Sequence, residues 1–93
     1  HVLFNNGMHE SVGGQPTIAN ELQIESIASN FGYKISKTCD AISGVKDFFS
    51  EINLSESNFL EIKCSPSEID NLPRPAGTPL DSKTNFIQGI TKP

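Results

Sequence analysis

The stretch LFNNGMHESVGGQPT, residues 3–17, begins with the end of a short apolar run and continues with two asparagines and three glycines. Asn-Gly is a strong signal for a tight hairpin turn. A two-residue hairpin would need a second strand directly after Gly7, but His9, Glu10, Ser11 and the Gly13-Gly14 pair are poor strand formers. We therefore interpret the stretch as a strand followed by a loop that approaches a ligand with its backbone, because glycines permit close approach and leave N–H groups available to an anion.

Two periodicities alternate along the first two thirds of the chain. Apolar residues recur at helical spacing in two segments, and three further segments have the composition or alternation of strands. In chain order they are a strand near 1–5, a helix near 21–31, a strand near 33–38, a helix near 44–53 and a strand near 58–64. Connections of this length predict right-handed crossovers, so the fold class is α/β with a parallel βαβαβ unit.

Local signals predict where the two helices begin and end. Asn20 with Gln23 three residues later resembles a capping box and predicts a helix start. Gly32 stands where a helix commonly ends in a left-handed residue. Ser43 is the expected N-cap of the second helix.

Apolar patterns also predict burial. The continuous run 2–4 is typical of a strand covered on both faces. Residues 58–64 alternate apolar and charged side chains, which indicates a strand near a sheet edge. Phe48 and Phe49 are expected in the core.

Composition bounds the class of protein. The 93 residues suffice for one small domain or a piece of one, with a formal charge of −4 from scattered carboxylates and no basic stripe. We expect no nucleic-acid partner, no membrane segment and a cytoplasmic location. Cys39 and Cys64 lack metal-ligand spacing, and reduced thiols are expected. The first residue is His1, already within a strand-like run, so we expect further sequence upstream.

From residue 66 onward, repeated prolines interrupt every periodicity and predict a Pro-rich C-terminal tail, residues 66–93, that drapes over another surface. Within it, Phe86, Ile87 and Ile90 are spaced for a short helical turn. The chain thus divides into an α/β part, residues 1–65, and this tail.

The quoted stretch resembles a known family. VLFNNGMHESVGGQPT carries the terminal NN of the thiamine diphosphate signature. The residues that follow are similar to those of phosphonopyruvate decarboxylases within the thiamine-diphosphate-dependent decarboxylase family. NFGYK, FLEIKCS and RPAGTPLDSK fit the same group in order, so the resemblance covers nearly the whole chain. It implies that residues 1–65 are the C-terminal part of a thiamine-diphosphate-binding domain.

The resemblance also implies a role for each loop residue. Mg²⁺ would be held by the side-chain oxygen of Asn6 and the main-chain carbonyl of Met8, and Asn5 would hold the loop through backbone hydrogen bonds. His9 and Glu10 would be candidate catalytic groups beside the cofactor and the anionic head of the substrate. The other loop residues that would lie beside the cofactor are Gly7, Ser11, Gly13, Gly14 and Gln15. A plainer interpretation stays open, in which His9 is solvated and Glu10 is structural.

The family's upstream GDG motif and its pyrimidine-binding domain are absent from these residues, so the chain alone is expected to be inactive. Three hypotheses follow. In the first, the chain is part of a homo-oligomeric decarboxylase, completed by the missing N-terminal domains, that converts 3-phosphonopyruvate to phosphonoacetaldehyde and CO₂. In the second, the enzyme class is the same but the substrate is sulfopyruvate or another 2-oxo acid. In the third, the chain is a non-catalytic α/β binding module.

Overall fold

The computed structural model describes residues 1–66 and 70–92 as a three-stranded sheet, a two-stranded hairpin and three α-helices. The elements are β1 Val2–Asn5, β2 Met8–His9, β3 Gln15–Pro16, α1 Ile24–Asn30, β4 Ile35–Cys39, α2 Ile42–Glu51, β5 Asn58–Lys63 and α3 Pro79–Thr91. Short 3₁₀ helices at Glu10–Val12 and Ile18–Glu21 lie between β2 and α1.

The main sheet has the strand order β1-β5-β4, and both pairs are parallel. The predicted parallel α/β fold with two crossover helices is therefore confirmed. The prediction that residues 58–64 lie near a sheet edge was wrong, because β5 pairs on both sides and is the central strand. Its charged residue Glu61 is buried because side chains from both neighbouring strands reach it.

The C-terminus of α1 follows its sequence signal. Gly32 has φ +101°, and the N–H groups of Gly32 and Tyr33 donate to the carbonyls of Ser29 and Ala28. This hydrogen-bond pattern is a Schellman motif, which needs a left-handed residue that glycine adopts without strain.

Both predicted helix starts were wrong. Thr17 caps a 3₁₀ helix by accepting a hydrogen bond from the Ala19 N–H at 3.3 Å, so the chain makes this extra turn at Asn20 and α1 begins only at Ile24. The second helix begins at Ile42, with Ala41 as a cap residue that offers no side-chain hydrogen bond. The chain turns directly out of β4, which leaves Ser43 inside the first helical turn.

The core lies between the sheet and the two helices. It contains the fully buried Leu60 together with Ala28, Phe48 and Phe59. Helix α2 approaches β4 closely at Gly44, where a Cβ atom would lie 2.8 Å from Cys39 Cβ. Glycine is therefore required for this helix–strand contact.

Two burial predictions were wrong. Phe49 is 50% exposed because it lies on the outer side of α2, whereas its neighbour Phe48 is buried. In β1, Phe4 is 71% exposed and Val2 40% exposed. The described part of the chain thus covers one face of β1 and leaves the other open.

The described part of the tail contains a longer helix than the predicted turn. Helix α3 has Thr78 as N-cap and Pro79 in its first turn, and Thr78 and Asp81 form a capping box. Every described residue from 70 to 92 is exposed, and the expectation that the tail drapes over another surface stays a prediction. The prolines end local periodicity, but Pro79 starts a helix because its fixed φ suits the first helical position.

Candidate functional site at the carboxyl end of the sheet

Asn5 ends β1 and is buried, with 6% of its surface exposed. Both polar atoms of its side-chain amide form hydrogen bonds: Nδ2 donates to Glu61 Oε2 at 2.8 Å, and Oδ1 accepts from the Gly7 N–H at 3.0 Å. Its main-chain carbonyl accepts from the Cys64 N–H at 2.8 Å. Asn5 therefore joins the loop that follows β1 to the central strand.

The next residue, Asn6, is partly exposed and turns toward the loop. Its Nδ2 donates to Glu10 Oε2 at 2.9 Å, and its Oδ1 accepts from the Met8 N–H at 3.2 Å. A carboxylate can only accept hydrogen bonds, so Glu10 fixes which end of the Asn6 amide is the oxygen. That oxygen keeps a second lone pair for a further donor or a cation.

The main-chain carbonyl of Met8 projects to the same side as this oxygen. Met8 lies opposite Pro16 in the β2–β3 hairpin, and Pro16 has no N–H to donate. The adjacent ladder bond runs from the Thr17 N–H to the Gly7 carbonyl at 2.9 Å, so Met8 is in a non-hydrogen-bonded pair with its N–H and C=O directed away from β3. Because its N–H reaches Asn6 Oδ1, the Met8 carbonyl and Asn6 Oδ1 share one side of β2.

Gly7 is buried and adopts a left-handed conformation, with φ +73°. A Cβ atom at this position would overlap the side-chain amide of Asn20. The backbone conformation of the turn between β1 and β2 therefore favours glycine, and a side chain at this position would displace the exposed Asn20 amide.

The outer part of the loop is more open. His9, Ser11 and Gln15 are exposed. Gly13 and Gly14 are both left-handed, with φ +97° and +72°, and the Gly14 N–H closes the loop on the His9 carbonyl at 2.9 Å. The His9 imidazole has no hydrogen-bond partner among residues 1–66 and 70–92. The structure therefore brings these predicted residues onto one loop beside Asn6, with polar groups directed to solvent.

Sequence reasoning missed Glu61, which it placed on the polar face of a strand. The residue is 2% exposed, and its carboxylate accepts from Asn5 Nδ2 and from Thr38 Oγ1, the latter at 3.0 Å. A glutamate between Leu60 and Ile62 was the available signal, because an acid within an otherwise apolar central strand needs partners.

The two cysteines lie at the carboxyl ends of neighbouring strands, and both are free thiols. Burial raises the pKa of the Cys39 thiol, and the nearby Asp40 and Cys64 raise it further. Cys39 consequently keeps its proton to higher pH than an ordinary cysteine, which disfavours reactivity.

Two features are absent from the described part of the chain. No group of three or more His, Cys, Asp and Glu side chains within residues 1–66 and 70–92 is arranged to hold a metal ion. Within the same ranges, no helix has the length and apolar character needed to cross a membrane.

Fold and loop together define a class. This is a parallel α/β unit that carries a polar, glycine-containing loop at the carboxyl end of a strand, the edge at which open parallel sheets bind ligands. The chain is similar over its whole length to phosphonopyruvate decarboxylases. It is 26% identical over 94 residues to that of Streptomyces viridochromogenes and 22% identical over 94 residues to that of Streptomyces hygroscopicus.

These relatives confirm the resemblance predicted from the loop. The chain spans only 24% and 23% of their respective lengths, so it corresponds to about a quarter of each relative. No protein-family model and no solved structure matches the chain.

Proposed function

We propose that this chain is part of a thiamine-diphosphate- and Mg²⁺-dependent 2-oxo acid decarboxylase that converts 3-phosphonopyruvate to phosphonoacetaldehyde and CO₂. One observation carries the proposal: both relatives whose similarity covers the entire chain, including the loop after β1, are named phosphonopyruvate decarboxylases. The position of that loop at the carboxyl end of a parallel sheet supports it.

The loop can supply two of the oxygen ligands of a magnesium site. Mg²⁺ prefers oxygen ligands in octahedral geometry, and Asn6 Oδ1 and the Met8 carbonyl are two oxygens on one side of β2. Both are neutral, and the described residues offer no acidic cluster to complete the site. The proposal therefore assigns a carboxylate ligand to an upstream part of the same protein.

The contact between Glu10 and Asn6 supports a role for Glu10. By accepting from Asn6 Nδ2 at 2.9 Å, it holds the amide so that the oxygen remains available for the cation. Glu10 is thus proposed as an orienting group for Asn6 rather than as a proton donor.

The outer loop is proposed to receive the anionic substrate. His9, Ser11 and Gln15 offer exposed side-chain donors, and the Gly13-Gly14 backbone lies between them. Phosphonate and carboxylate oxygens accept strong hydrogen bonds from such donors. When bound, thiamine diphosphate supplies the electron sink for loss of CO₂, while this chain positions the two partners.

Partners are proposed from the open surface of β1. Its outward face exposes Phe4 and Val2, and such apolar strand surfaces are normally covered. We assign this face to the N-terminal domains of the same protein and to assembly as a homo-oligomer.

The test uses the complete protein that contains this chain. Purified protein is incubated with 3-phosphonopyruvate, sulfopyruvate or pyruvate, with and without thiamine diphosphate and Mg²⁺, and CO₂ and aldehyde are measured. We expect turnover of 3-phosphonopyruvate in preference to the other acids, and only with both additions. Preference for sulfopyruvate would replace the substrate, whereas no turnover of any acid and no cofactor binding would leave the non-catalytic module.

A further inference from the structure

The most buried carboxylate in the described structure lies directly behind the loop. Glu61 stands on the central strand β5, and in register its neighbours are Leu3 on β1 and Thr38 on β4. Its Oε1 accepts from Thr38 Oγ1 at 3.0 Å, and its Oε2 accepts from Asn5 Nδ2 at 2.8 Å. One carboxylate therefore joins all three strands at the carboxyl end of the sheet.

This arrangement is unfavourable if stability is its purpose. Burial of a carboxylate costs free energy unless hydrogen bonds and an opposite charge compensate for lost water. Glu61 is 2% exposed, and the side-chain donors to it among residues 1–66 and 70–92 are the neutral groups of Asn5 and Thr38. A neutral side chain of similar shape would hold three strands together as well, so the charge calls for another explanation.

The explanation lies in the Asn5 amide, which has a donor end and an acceptor end. Because a carboxylate offers only acceptors, Asn5 must turn its NH₂ group to Glu61 and its oxygen to the loop. That oxygen accepts from the Gly7 N–H at 3.0 Å. In the opposite orientation, the Asn5 oxygen would face the carboxylate and its NH₂ group would face the Gly7 N–H, and both contacts would be repulsive.

We propose that Glu61 is a positioning residue for the cofactor loop: it selects one orientation of the Asn5 amide, and Asn5 in turn fixes the Gly7 backbone from which Asn6 and Met8 project. This inference rests on the proposed function and extends it to a residue that touches neither metal nor cofactor. Thr38 completes the carboxylate's hydrogen bonding on the side away from the loop.

The test measures the dissociation constant of thiamine diphosphate with Mg²⁺ by calorimetry on the complete protein. Glu61→Gln should weaken binding by roughly tenfold, the lower end of what loss of an orienting partner costs, because glutamine can present either end to Asn5. Asn5→Asp alone should weaken binding at least as much, since two buried carboxylates then face each other.

The double variant Asn5→Asp/Glu61→Gln supplies the rescue. The new carboxylate at position 5 accepts from the amide nitrogen at position 61 and from the Gly7 N–H, while the amide oxygen at position 61 accepts from Thr38. Every hydrogen bond is kept, and the negative charge moves from β5 to β1. We expect affinity within roughly threefold of wild type, the sign of strong coupling between the two sites.

A matched control separates positioning from general loss of stability. Leu60→Ala perturbs the same strand at a fully buried side chain on the opposite face. It should lower the melting temperature and leave the dissociation constant unchanged. An equal loss of affinity in this control would overturn the proposal, as would unchanged binding in Glu61→Gln.

The remaining outcomes are also decisive. If Glu61→Gln does not fold, the comparison of Asn5→Asp with the double variant stands alone, and failure of the second substitution to restore binding overturns the proposal. If the wild-type protein binds no thiamine diphosphate, the proposed function fails and this inference fails with it. Binding by wild type without coupling between positions 5 and 61 overturns this inference alone.

Discussion

Gly7 lies so close to Asn20 that a methyl group on Gly7 would overlap the Asn20 side-chain amide. The same glycine has φ +73°, a conformation that costs other residues about 1–2 kcal/mol. We expect Gly7→Ala to lower the free energy of unfolding by about this amount and to displace the exposed Asn20 side chain, as measured by thermal unfolding of the complete protein.

Two other glycines serve as controls for that substitution. Gly32 has φ +101°, and a methyl group at that position would meet nothing within 4 Å, so Gly32→Ala should cost only about 1–2 kcal/mol for strain. Gly89 lies within α3 with open space around it, so Gly89→Ala should favour the helix by about 1 kcal/mol. A cost of Gly7→Ala no larger than that of Gly89→Ala would contradict the strain assigned to Gly7.

Asn6→Ala should weaken binding of Mg²⁺ and thiamine diphosphate far more than Asn5→Ala does. Asn6 Oδ1 is the proposed metal ligand, whereas Asn5 acts through the loop backbone. Loss of a residue that hydrogen-bonds to a metal ligand costs about 10–100-fold in metal affinity, so loss of a ligand itself should cost at least that much. Calorimetric titration of the complete protein checks this order, and wild-type affinity in Asn6→Ala would end the assignment.

Cys39 should alkylate with a higher pH midpoint in the native protein than in denaturant. Burial and the neighbouring Asp40 and Cys64 raise its pKa, so the folded state holds the thiol proton more tightly. The sign follows for stability: this contribution is complete below the pKa of the unfolded thiol and is lost as the pH rises through the folded pKa. Iodoacetamide rates followed by mass spectrometry give the midpoint, and Asp40→Asn should lower it. A native midpoint equal to the denatured one would refute the expectation.

The start of α3 should become less stable in acid. Hydrogen bonds from the Thr78 backbone N–H and hydroxyl to Asp81 lower the pKa of that carboxyl. The stabilisation is therefore present above the usual carboxyl pKa of about 3.9 and disappears as the pH falls through the lower, folded value. Carbon NMR titration of a peptide of residues 74–92 in a helix-favouring solvent measures this pKa.

Variants of α3 test the cause of that shift. Thr78→Ala removes the hydroxyl donor and should bring the Asp81 pKa part of the way back to its usual value, since the backbone donor remains. Thr91→Ala removes a hydroxyl that bonds at the other end of the helix and should leave the Asp81 pKa unchanged.

Residues 1–93 alone should show no decarboxylation of 3-phosphonopyruvate and should elute as a species larger than a monomer. The proposed metal ligands in the loop are neutral, and the face of β1 with Phe4, 71% exposed, is free to associate. Phe4→Lys should shift the elution toward the monomer, whereas Phe31→Lys, an exposed residue beyond α1, should not. Turnover by these residues, free of host decarboxylase, would mean that the catalytic site needs no upstream domain.

The sequence by itself determined the order and type of the main elements. Periodicity and the glycine after α1 are local properties, and the parallel α/β pattern and the Gly32 cap were confirmed. The expectation that the residues after Gly7 form no strand was wrong, because Met8–His9 pairs with Gln15–Pro16 as a short hairpin. The family resemblance likewise came from several short motifs, each of contiguous residues, and the relatives confirm it.

Only the tertiary structure decided which strand is central and which polar groups meet. Glu61 and Asn5 are 56 residues apart, and their contact exists because β5 inserts between β1 and β4. The start of α1 likewise depends on a 3₁₀ turn that places Asn20 against Gly7. Alternation along one strand states which residues share a face, but the partner across the sheet sets whether a carboxylate there is solvated or buried and bonded.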